Sequence, residues 1–202
     1  MLFLNAQIAQ TQDKCGTDQY ELLHKNKLLN PENEAQFENW ISKKISESKA
    51  IRPFSTKADE ILIIPVVVHV IHQGEELGSK SNIPDEQILS QIELLNKDFR
   101  RLNADAVNTP LEFLPVASDV RLEFALARRD PDGLLTNGIV RQKGPLGKYG
   151  FSTDKQLKMQ SYWPAEDYLN FWVTTLSDDF LGYAQFPVSN LPGLDSDQTI
   201  SR

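Results

Sequence analysis

The chain has one cysteine, in Lys14-Cys15-Gly16-Thr17, directly before a predicted helix start. A helix N-terminus and an adjacent lysine both favour the thiolate. Gly16 lets the backbone come close to a neighbour, and a thiolate is a good zinc ligand at about 2.3 Å. The alternative is an inert terminal thiol. With a single cysteine no internal disulfide can form. His69 and His72 lie on a predicted strand, where a separation of three points them to opposite faces, so they cannot chelate one ion. Each reads better as a buried, hydrogen-bonded histidine, and His24, on a charged helix, as a solvated one. The adjacent acids Asp178-Asp179 sit near a turn, where solvated surface is the default. There is no H-E-x-x-H, no G-x-S-x-G, no phosphate loop and no C-x-x-C. Residue chemistry alone gives no complete active site.

The elements that would position these groups follow from periodicity. Thr17 can cap a first helix carrying Tyr20, Leu23 and Leu28, and Asn30-Pro31-Glu32 starts a second, with Phe37, Trp40, Ile41 and Ile45 at helical spacing. Residues 50–60 show no periodicity and read as a linker. Ile61–His72 is rich in Val and Ile on both alternating faces, which predicts a central strand covered on both sides. Pro84-Asp85-Glu86 opens a helix with Ile88, Ile92, Leu95, Phe99 and Leu102 on one face. Val120–Leu126 alternates as a strand with one polar face, and Asp130-Pro131-Asp132-Gly133 is a turn. Tyr168–Thr174 is a third strand and Leu181–Phe186 a short fourth. Strand, helix and further strands in this order predict an α/β layer with a partly parallel sheet.

With 202 residues, 40% of them hydrophobic and 24% charged, the chain can bury one sizeable core. A net charge of −7 without a basic cluster argues against nucleic acid or an anionic membrane as the main partner. The longest apolar run, Ile61–Ile71, is broken by Pro65 and His69 and is far short of the roughly 20 residues that span a bilayer. Met1–Gln10 has no positive start and too short an apolar stretch for a complete signal peptide. It reads as the remnant of one, with a mildly apolar cytosolic start as the alternative. Asp13-Lys14 before the cysteine argues against a lipoprotein anchor.

In order along the chain, six segments carry a resemblance: Cys15-Gly16-Thr17 before a helix; Ile64–Ile71; Asp85-Glu86-Gln87-Ile88 through Leu95–Arg100; Asp130–Gly133 with Thr136-Asn137-Gly138-Ile139; Leu169–Val173; and Leu181-Gly182-Tyr183-Ala184-Gln185-Phe186-Pro187. Together they resemble the pappalysin-like (cytophagalysin-type) zinc metallopeptidases, a branch of the metzincins. The corresponding family pieces are a propeptide motif, the first strand, the first long helix, the loop after the second strand, and the third and fourth strands. The family continues into a fifth strand, a helix with H-E-x-x-H-x-x-G-x-x-H and a methionine turn, none of which is in this sequence. Met159 precedes the fourth strand and cannot be the methionine of that turn.

The resemblance implies a metzincin-like N-terminal subdomain of α/β (α+β) class, a mixed and mostly parallel twisted sheet with a long helix, preceded by a helical propeptide. It divides the chain into a signal-peptide remnant (1–12), a propeptide with a cysteine switch (13–49), a linker (50–60) and the N-terminal part of a catalytic domain (61–202), with the zinc ligands expected beyond residue 202. Cys15 would be the latent-form zinc ligand, and Gly182, Tyr183, Ala184 and Gln185 would pair with extended substrate at the upper rim of the cleft, as in strand addition. An ordinary edge strand uses the same residues. The implied cofactor is zinc, with room for calcium. The implied partner is a protein or peptide substrate, the reaction is peptide-bond hydrolysis, and the place is outside the cell or on its surface. The competing expectation is a secreted, non-catalytic binding module with a metzincin-like half-fold.

Overall fold

A computed structural model describes residues 14–17, 19, 20, 31–51, 60–177 and 179–184. The expectations for residues 1–12, His24, Gln185 and Phe186, and for most of the linker, lie outside them. The chain divides into two compact units. One joins residues 1–48 with 176–202, and the other runs from Lys49 to Thr175.

The second unit is built on strand β1, Leu62–His72, buried along Val66–Ile71. Three parallel strands pair with it: β2 (Leu122–Leu126), β3 (Ile139–Lys143) and β4 (Leu169–Val173). Val66 pairs with both Leu126 and Leu169, and Val68 with both Ile139 and Phe171. A residue has two edges, so β4 holds one edge of β1 while β2 and β3 share the other, end to end. The chain crosses from β2 to β3 at Gly138, whose φ is +74°. Val68 N–H donates to the Gly138 carbonyl at 2.9 Å, and a Cβ there would lie 2.8 Å from Ala127 N. Only glycine meets both demands.

The long helix, here α2 because Pro31–Ile51 in the first unit is α1, spans Asp85–Phe99. Pro84 in extended conformation starts it, and Asp85 and Glu86 sit where the helix dipole favours acids. Its Ile88 and Ile92 pack on Val66, Val68, Val70 and Phe124, with Phe171 and Val173 of β4 at the margin. The opposite face of the sheet carries Ile71, packed with Tyr149 and Leu157 of the segment between β3 and β4, which holds the short helix α3, Asp154–Lys158. The mixed α/β architecture with a mostly parallel sheet is as the sequence predicts.

Some local expectations change. Ile139–Lys143 is a strand, although Asn137-Gly138-Ile139 reads as loop. The polar sequence Arg141-Gln142-Lys143 hides it, because its pairing needs only the backbone of Val68–His72. Helix α1 runs on to Ile51, into the expected linker. The described part of the expected fourth strand, Leu181–Ala184, carries one isolated bridge, between Gly182 and Cys15.

Candidate functional site

In the first unit the cysteine segment lies against the expected substrate edge. Cys15 and Gly182 form an isolated parallel bridge. Leu181 N–H donates to the Lys14 carbonyl at 2.9 Å, and Gly16 N–H donates to the Gly182 carbonyl at 2.9 Å. Ala184 N–H donates to Thr17 Oγ1 at 3.0 Å, and the Cys15 thiol reaches the same oxygen at 3.5 Å. Thr17 is thus not the helix cap its position suggests. Tyr20 N–H bonds to the Gly16 carbonyl at 2.8 Å, so the helix begins one residue earlier and frees the threonine hydroxyl for Ala184. That first turn carries Tyr20 onto Tyr183, with ring centroids 4.9 Å apart and planes at 21°. Tyr20 is fully buried, Tyr183 half-buried and Cys15 exposed. Cys15, Gly182, Tyr183 and Ala184 are therefore brought together, while Gln185 lies outside the described residues. Tyr20 and Thr17 are the contributors that sequence reasoning missed. Their pairing partners lie more than 160 residues away, and only the helical register from Gly16 hints at a shared face.

The histidines sit elsewhere. His69 is fully buried, stacks on Trp172 at 5.0 Å, and has Nε2 2.9 Å from Asn170 Oδ1. Burial pushes its imidazole down to about 4, against the opposing effect of the Asn170 bond. Half-buried His72 accepts the Gly74 N–H at Nδ1, 3.0 Å away. Both are the hydrogen-bonded histidines expected. Asp178 lies outside the described residues, and Asp179 has the left-handed φ of 57° that suits a turn.

Among the described residues no group of three or more His, Cys, Asp or Glu side chains could hold a metal ion. Zinc needs four ligands, or three and a water, and Cys15 offers one thiol. The described residues do not by themselves fit a zinc centre, and no catalytic step is assigned to them. No described helix is long and apolar enough to cross a membrane.

No protein-family profile and no curated protein matches the chain. Solved structures do. The chain is 38% identical to a promirolysin mutant of Tannerella forsythia, with a TM-score of 0.66 over 85% of this chain and 53% of that one. It is 45% identical to mature Tannerella forsythia mirolysin in complex with a cleaved peptide, and to mirolysin in complex with a compound, each with a TM-score of 0.57 over 63% of this chain and 47% of that one. By fold and by similarity the chain is a relative of the pappalysin-family metzincins. Within that group the similarity found is to mirolysin and its zymogen, and the chain spans about half the length of the solved chains it matches.

Proposed function

We propose that this chain is the propeptide and the N-terminal part of the catalytic domain of an exported, latent zinc metalloendopeptidase. The observation that carries the reading is the seating of Lys14–Thr17 on Leu181–Ala184. A segment that adds itself to an edge by backbone hydrogen bonds occupies the place an extended peptide would take. Greater coverage by the zymogen match than by the mature-enzyme matches, 85% against 63% of this chain, supports assigning the leading segment to a propeptide. In this reading Cys15 supplies one thiolate ligand to the family's zinc, whose other ligands come from residues outside this sequence. Zinc, when bound, would polarise the scissile carbonyl and lower the pKa of its water. Substrates would be proteins or peptides bound along residues 182–185.

The coding sequence after codon 202 tests the reading. A frame encoding H-E-x-x-H-x-x-G-x-x-H supports it, whereas a stop followed by unrelated sequence sinks it and favours a binding module. In the protein extended through that helix, Cys15→Ala should shorten latency, because water or substrate displaces an alanine-bearing segment more readily than a thiolate. Identical activation time courses for wild type and variant would leave Cys15 an inert thiol. Recovery of the protein from culture medium or the cell surface tests export.

A further inference from the structure

We infer that Tyr183 is the wall of a side-chain subsite beside the edge Leu181–Ala184, that this subsite takes an aromatic side chain of a bound peptide, and that Tyr20 fills it in this chain. The inference rests on the reading of that edge as a peptide-pairing rim. Backbone pairing fixes where a peptide lies but is indifferent to its sequence, so selectivity must come from side chains along the edge. Leu181 is 80% exposed and Ala184 is small and exposed. Gly182 has no side chain, and a Cβ added to it would meet nothing within 4 Å. Tyr183 is the large half-buried side chain among these four, and its face is covered by a ring from the segment that pairs with the edge.

The covering is specific in geometry. Centroids 4.9 Å apart with planes at 21° are a stacked pair within the favoured range for aromatic rings. Tyr20 reaches it because the backbone leaves the edge at Thr17 and turns once through the Tyr20–Gly16 hydrogen bond. The arrangement is that of an edge-bound peptide whose next reachable side chain drops onto Tyr183. The departing propeptide would uncover this ring for a substrate residue of the same class: tyrosine, phenylalanine or tryptophan.

The test uses the whole 202-residue chain and reads the exchange rates of the Leu181, Gly16 and Ala184 amides, the donors that hold the segment to the edge. Tyr20→Ala should speed their exchange about threefold to tenfold, the factor expected for one aromatic pair, and Tyr20→Phe should leave it near wild type. Millimolar N-acetyl-tyrosinamide should slow exchange again in Tyr20→Ala, and N-acetyl-alaninamide should not. Equal exchange in the Ala and Phe variants, or equal rescue by both amides, would overturn the inference. Should Tyr20→Ala fail to fold, Tyr183→Ala and Tyr183→Phe supply the same contrast from the other ring. These readouts need neither zinc nor proteolysis. A missing zinc motif downstream would remove the peptidase reading while leaving the aromatic preference standing, and an active peptidase without the preference would remove only this inference.

Discussion

At the scale of single residues, Asn170 decides the chemistry of His69. Its Oδ1 accepts the Trp163 N–H at 3.1 Å and its Nδ2 donates to the Trp163 carbonyl at 2.9 Å, so the amide can point only one way. The oxygen therefore faces His69, and Nε2 must carry the hydrogen. Nδ1 is left a bare acceptor, buried, with no hydrogen-bond partner among the described residues. Charging this ring inside the sheet is costly, which is why its folded pKa falls to about 4 from an ordinary 6.5. The unfolded chain takes up a proton below about 6.5 and the folded chain only below about 4. Stability is thus fully present above that window and is lost as pH falls through it, by on the order of 3 kcal/mol. Urea titrations at a series of pH values should show this slope in wild type and lose it in His69→Gln. An unchanged slope in the variant would assign the acid sensitivity to other groups. That His69 is buried and bonded is legible in the sequence, from its place in an apolar strand. The identity of its partner is not, because Asn170 is 101 positions away.

At the scale of elements, the outer edge of β2 is closed by a side chain from α2. Asn96 accepts the Phe124 N–H at 2.6 Å and donates to the Phe124 carbonyl at 3.0 Å, occupying the groups that β2 would otherwise offer to another strand. Asn96→Leu keeps the volume and removes both bonds. It should destabilise the sheet by about 1–3 kcal/mol and speed exchange of the Phe124 amide above that of the β1 amides. No loss beyond about 0.5 kcal/mol would mean that water replaces the amide fully. Arg141 plays a similar joining role from β3, donating to Asn82 Oδ1 at 3.0 Å and the Ile83 carbonyl at 2.7 Å and pairing with Asp85 at the start of α2. Strands β1, β2 and β4 and helix α2 were legible because each declares itself by local apolar period. Strand β3 was not, since its apolar content is Ile139-Val140 alone and its place is dictated by β1. The edge 181–184 was read as a strand from its apolar alternation, but in its described part it has one backbone bridge, to the cysteine segment. No local period could announce that contact.

At the scale of the whole molecule, the candidate site belongs to a unit that joins the start and the end of the chain, while the sheet forms its own unit between them. The chemistry that the similarity to mirolysin suggests needs ligands that the described residues do not supply. Zinc titration of the 202-residue chain by calorimetry should give no tight stoichiometric binding, and a casein assay should show no chelator-sensitive cleavage. Either activity in this chain would show that residues outside those described complete a metal site. The parallel sheet has a further consequence during synthesis. β1 gains β2 and β3 as the chain grows, but its other edge is closed by β4, with the His69–Asn170 contact made across 101 positions. A ribosome adds about 5–20 residues each second, so that apolar edge stays open for roughly 5–20 s of translation at those speeds. Codon choice between the two strands, which alters no residue, therefore sets how long the nascent chain must be shielded by chaperones.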